Sequence, residues 1–193
     1  MATMTVEQFV NATIQWGTAR NPTFKLNWPV KGGWEGWVQV DLTGFILSVD
    51  PTCDILREYP IFTSPYMRTD LLLNSTAFTD AQIPVEIKAE SFENRMDPFL
   101  QGILKDIQKL NEDRNTDFSE CTCIMMAIPF SPQSAQAVLS IQEGGHNIFT
   151  LVYVGEVAIA IAVYTEAGGW IPARQASVSL SDMTPEPVAS PLR

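Results

Sequence analysis

Asp70, Glu86 and Lys88 are the residues of this chain whose types and spacing could do chemistry. Asp70 opens the apolar run Leu71-Leu72-Leu73, and Glu86 and Lys88 interrupt a second one, Ile83-Pro84-Val85-Glu86-Ile87-Lys88. A charge within a sheet is costly unless it is paired, solvated or bound to a metal. If both runs are strands, Glu86 and Lys88 share one face while Val85 and Ile87 take the other. Asp70 then sits on the neighbouring strand, with Leu71 and Leu73 turned away from it. Two carboxylates held together repel and call for a cation, and a hard divalent ion, Mg²⁺ or Mn²⁺, suits oxygen ligands. The lysine, one strand step beyond, can orient or deprotonate a water, or stabilise charge developing on a phosphate. The competing reading is a structural ion pair at a sheet edge. A lone Glu–Lys pair would not need Asp70 as well.

The elements that must position these residues follow from periodicity. Residues 5–17 read as a helix, because Val6, Phe9, Val10 and Thr13 recur at helical spacing. Asn21-Pro22, Pro29 and Gly32-Gly33 predict a loop over 18–32. Trp34, Val38, Leu42, Phe45 and Ile46 predict a second helix over 34–47, ended by Asp50-Pro51. Residues 54–62, 67–74 and 83–89 predict a meander of three strands. Residues 95–112 carry Leu100, Ile103, Leu104, Ile107 and Leu110 on one helical face. Residues 121–128 predict a buried strand, Ser131-Pro132 the capped start of a helix reaching about residue 142, and 148–165 a hairpin turning at Gly155-Glu156. Strands mixed with packed helices make an α/β or α+β sheet protein.

Asp70, fifteen intervening residues, and then Glu86-Ile87-Lys88 form a pattern that resembles the signature of the PD-(D/E)XK nuclease superfamily. The resemblance covers about residues 34–128, which read in that superfamily's core order, αβββαβ. It implies a restriction-endonuclease-like α/β fold, with a mixed sheet flanked by helices and a C-terminal helix and hairpin added. It also implies that Asp70 and Glu86 ligate Mg²⁺ or Mn²⁺ and that Lys88 serves the attacking water. Some members add an acidic residue from the helix before the sheet, for which Glu35 is the candidate and Asp41 the competitor. Others add a glutamine from the following helix, for which Gln101 is preferred to Gln108. Thr69 stands where the signature has proline. The implied activity is metal-dependent cleavage of nucleic acid, with DNA the expected substrate; the alternative is a catalytically silent nuclease-like module that binds a protein.

Composition narrows the partners. The chain has 193 residues, 22 acidic and 12 basic side chains, and a net charge of −10. Such a surface repels polyanions at long range, so nucleic acid must be met by a local basic cleft. Arg57, Arg68, Arg95 and Lys105 are the candidate substrate contacts, helped by self-association or by a protein partner. Lys105 and Lys109, four apart, read as a solvated helix face. Trp34 and Trp37 could stack bases, but anchoring a helix is the commoner use. Cys53, Cys121 and Cys123 form no CxxC pair and read as buried reduced thiols. The single histidine, His146, reads as a loop residue with no second histidine for zinc. The start MATMTVEQFV has no signal-peptide pattern, and the apolar stretch 148–164, broken by Gly155-Glu156, is too short to span a bilayer. An intracellular, soluble protein of cytoplasm or nucleus is expected. Residues 1–174 are expected to form one domain and 175–193 a frayed tail rich in Ser, Pro and Thr.

Overall fold

The computed structural model describes residues 3–30, 33–93 and 95–173; the expected tail, 175–193, lies outside them. Thr5 starts the first helix, α1 (Val6–Asn27), with a reciprocal cap. The Gln8 amide N–H donates to Thr5 Oγ1 at 3.2 Å, and the Thr5 N–H donates to Gln8 Oε1 at 2.8 Å. The loop predicted from residue 18 is therefore corrected: α1 continues through Pro22 to Asn27. An interior proline costs about 3 kcal/mol. Against it, Phe24 is completely buried, with its ring 5.3 Å from Trp16, 5.3 Å from Trp34 and 6.2 Å from Trp37. Burial of a phenylalanine contributes about 1.5–3 kcal/mol, and each aromatic contact about 0.5–1.5 kcal/mol more. Packing outweighs propensity here.

The second helix, α2 (Glu35–Val49), buries Val38, Gln39, Leu42 and Ile46. The meander follows as β1 (Ile55–Tyr59), β2 (Thr69–Leu73) and β3 (Ile83–Ala89), each neighbour antiparallel. Helix α3 (Met96–Glu112) then crosses over, and β4 (Cys123–Ile128) returns parallel to β3. After α4 (Pro132–Leu139), shorter than expected, comes a small ribbon of β5 (Gln142–Glu143) and β6 (His146–Asn147). Gly144 and Gly145 make its turn, both at positive φ, 58° and 81°. His146 thus sits in a ribbon rather than a plain loop. The expected final hairpin is β7 (Thr150–Val154) and β8 (Val157–Thr165), and β9 (Gly169–Pro172) pairs with the far end of β8.

The result is an α/β architecture: a mixed seven-stranded sheet, ordered β1-β2-β3-β4-β8-β7 with β9 beside β8, flanked by helices. Helices α1 and α2 pack on one face, over Leu71, Leu73, Val85, Ile87, Ile124 and Met126. Residues Leu72, Met125, Ala127, Ala160 and Ala162 lie on the other, where they meet Phe99, Ile103 and Leu110 of α3 and Val138 of α4. Strand β8 is apolar on both faces, with Val157, Ile159, Ile161 and Val163 toward α1 and α2. The turn at Gly155 has φ +77°, and a side chain there would collide with Asn21, so the second half of α1 rests on that turn. Lys25 and Glu156 pair across the same contact.

Glu90, only 3% exposed, closes the α3–α4 side of the sheet. Its carboxylate accepts from the N–H groups of Phe130 (2.7 Å) and Ser131 (3.1 Å) and from Ser134 Oγ (2.9 Å), at the start of α4. Glu90→Ala leaves three donors without their acceptor, at about 1–3 kcal/mol each. We expect the variant to lose at least about 3 kcal/mol in urea unfolding; a loss under about 1 kcal/mol would contradict this role.

Candidate active site

Strands β2 and β3 pair from Leu73–Ile83 to Leu71–Val85 and then part. Continuing that register would put Asp70 opposite Glu86, two like charges on adjacent strands, which is unfavourable. Strand β2 instead stays with β1, where Thr69 still pairs with Tyr59. Side chains replace the missing ladder. Asp70 Oδ2 accepts from the Ile87 N–H at 2.6 Å, and Thr69 Oγ1 donates to the Val85 carbonyl at 2.9 Å. Thr69, completely buried, thereby has a local task of its own.

The parted strands are reached from both helix layers. From α2, Gln39 Nε2 donates to Asp70 Oδ1 at 2.7 Å, while Gln39 Oε1 accepts from Arg57 at 2.8 Å. One turn earlier, Glu35 accepts from Lys88 Nζ and from the Ala89 N–H, both at 3.3 Å. From α3, Asp106 lies 3.0 Å from Lys88 Nζ and 3.5 Å from Lys109 Nζ. Lys109 Nζ donates to Glu86 Oε2 at 2.6 Å and stands 4.9 Å from the Phe62 ring centre. Glu86 is 2% exposed, and its other oxygen, Oε1, is buried without a hydrogen-bond partner.

Gly102 of α3 makes room for the lysine on β3. A Cβ at Gly102 would stand 3.0 Å from Lys88 Cδ and 3.2 Å from Cε. The aliphatic stem therefore lies along the helix and delivers its ammonium to Asp106 one turn on. Asp70, Glu86 and Lys88 thus meet as their spacing predicts, and Glu35 joins them. Asp41, its competitor, pairs instead with Arg20 and Trp16.

The other expected residues lie apart from these contacts or touch them indirectly. Gln101 is exposed and takes no part in these contacts. Lys109 was expected on a solvated face, but it lies against Glu86, while Lys105 is exposed. Arg57 touches the cluster through Gln39. Arg68 donates to the Glu58 carbonyl of the edge strand, and Arg95 packs over the rings of Phe92 (4.4 Å) and Trp28 (5.9 Å). These four cations do not form one basic cleft around Glu86. Gln39, Asp106 and Lys109 are the cluster members that the motif did not reveal.

Four carboxylates (Glu35, Asp70, Glu86, Asp106) face two ammonium groups (Lys88, Lys109), an excess of two negative charges when all are ionised. Burial, with Glu35 and Asp106 adding to it, pushes Asp70 up to about 7. Burial and then the Asp70 charge raise Glu86 well above the usual carboxylate range despite Lys109. Burial likewise raises Glu35, against the pull of Lys88. Burial disfavours the charge on Lys88, but Glu35, Asp106 and Asp70 outweigh it, so that ammonium is held more firmly than usual.

The sign of the resulting pH dependence is set by Asp70. An unfolded aspartate titrates near about 3.9, and Asp70 in the folded chain at about 7. Between those values the folded state holds more protons, so stability falls as pH rises through the window. We expect the metal-free protein to resist urea better at about pH 5.5 than at about pH 8, and Asp70→Asn to shrink the difference. Stability rising over that interval in the wild type would contradict the assignment. Comparison of the chain with known protein families, with curated proteins and with solved structures finds no match.

Proposed function

We propose that this chain is a divalent-metal-dependent phosphodiesterase with a restriction-endonuclease-like core, acting on nucleic acid, with DNA the expected substrate. The order α2-β1-β2-β3-α3-β4, with β4 parallel to β3 after a helical crossover, supports that core. The observation that carries the reading is Glu86 Oε1, a buried carboxylate oxygen without a partner in a cluster where four carboxylates face two ammonium groups. Such an atom is costly unless something binds it.

The donor set fits Mg²⁺ or Mn²⁺ in charge and hardness, with Asp70 and Glu86 as the residues that would hold it. When bound, the metal supplies Lewis acidity toward a phosphate oxygen and an attacking water. The chain's own residues supply the rest. Gln39 and the Ile87 N–H fix the Asp70 carboxylate from two directions. Lys88 stays protonated, so it serves as a fixed positive charge beside the phosphate and a donor that orients water, rather than as a base. Glu35, bonded to Lys88 and raised by burial, is the carboxylate suited to accept a proton from that water.

One observation favours a second reading. Among the described residues, no three acidic, histidine or cysteine side chains are grouped as a metal site, and two lysines already answer the carboxylates. The same network could serve a silent module in which the ion pairs hold the layers together.

The two readings separate on metal. With millimolar Mn²⁺ or Mg²⁺ the nuclease reading expects a higher melting temperature, equivalent to about 2.7 kcal/mol at a hundredfold excess over Kd. Asp70→Asn should abolish that gain. Lys88→Ala should lower cleavage of DNA at least about 100-fold while the metal-induced shift persists. No shift with either ion, and cleavage indifferent to all three of Asp70, Glu86 and Lys88, would leave the silent module. Net charge −10 further implies weak DNA binding by the isolated chain; submicromolar binding of duplex DNA in physiological salt would contradict that expectation.

A further inference from the structure

We propose that Lys109 is the resident counter-ion of the metal site: its ammonium holds Glu86 while the site is metal-free and gives way to the divalent ion, so that Lys109 sets the metal affinity. This rests on the phosphodiesterase reading. A carboxylate as buried as Glu86 needs a positive neighbour to stay ionised in the folded chain, and Lys109 Nζ at 2.6 Å is that neighbour. It satisfies one oxygen only. Oε1 remains buried and unpartnered, so the lysine leaves the carboxylate half-answered.

The ammonium also has somewhere to go. Asp106 Oδ1 is 3.5 Å from Lys109 Nζ, and the ring centre of Phe62, whose face it stands over, is 4.9 Å away. A carboxylate and an aromatic face are the two kinds of surface that hold an ammonium. Asp106 sits three residues before Lys109 on the same helix, so the lysine can transfer toward it by rotation about its own side-chain bonds, without a shift of α3. Asp106 also faces Lys88, so the same carboxylate would then carry both lysines while Glu86 is released. Lys109 therefore competes with the ion for one ligand. Metal affinity is kept below what the four carboxylates alone would give.

The experiment is calorimetric titration of Mn²⁺ into the full chain and into Lys109→Met, Lys109→Gln and Lys109→Arg, with circular dichroism confirming each fold. Methionine and glutamine remove the competing charge at similar length, and Mn²⁺ should bind both at least 10-fold more tightly than the wild type. Arginine keeps the charge and can grip both oxygens of Glu86, so Mn²⁺ should bind that variant more weakly. It also keeps the test open if the neutral variants fail to fold without metal. Binding by the wild type with equal or weaker binding by Met and Gln, or with equal or tighter binding by Arg, would overturn the inference and leave the phosphodiesterase reading standing. No binding by any of the four proteins would overturn both.

Discussion

Repulsion between Asp70 and Glu86 is the constraint from which the rest of this structure follows. Their register would set two carboxylates side by side on adjacent strands, and the sheet responds by parting there. Parting costs backbone hydrogen bonds, and the chain recovers them with side chains: Asp70 takes the Ile87 N–H, and Thr69 takes the Val85 carbonyl. The gap also lets α2 and α3, on opposite faces, place side chains on the same group of charges. A regular ladder at this point would keep those two layers apart. The local irregularity and the chemistry have one origin.

The electrostatic consequence is a site held under tension by its own composition. Glu35, Asp70 and Glu86 are raised by burial and by their neighbours, and each lysine is held charged by the carboxylates around it. The carboxylates outnumber the ammonium groups four to two, so the fully ionised cluster is negative. Burying charges in this manner adds little to net stability, because desolvation offsets attraction. Such a cluster is better understood as a fixed field than as a fastening.

Sequence periodicity revealed much of this, and its failures have identifiable causes. The meander, α2, α3 and β4 stand close to where apolar spacing put them; β2, β3, α2 and α3 carry buried apolar residues at the expected period, and β4 is apolar and buried throughout. The end of α1 was missed because Pro22 and Asn21 are local breakers, whereas the aromatic packing of Phe24 is a tertiary effect. Asp70, Glu86 and Lys88 were legible because charges inside apolar strands stand out. Lys109, Asp106 and Gln39 were not. A polar residue on an amphipathic helix looks the same whether it faces water or a buried carboxylate, and only the rotation of the packed helix decides between them. For the same reason the spacing did not show that Gln101 is exposed, away from the cluster's contacts.

Glu90 gives the site strand an anchorage beyond the ion cluster. It lies two residues after Lys88, on the same side of β3, and its carboxylate grips the first turn of α4. Lys88 is therefore tethered at a fixed number of residues from a buried attachment point. Adding or removing one residue between them would turn either Lys88 or Glu90 to the wrong face of the sheet. The stretch from Glu86 to Glu90 should thus behave as a ruler, whose length cannot change without breaking one of its two attachments. Variation in length among proteins built on this plan belongs instead in the turn 74–82, which connects β2 to β3 away from the parted end.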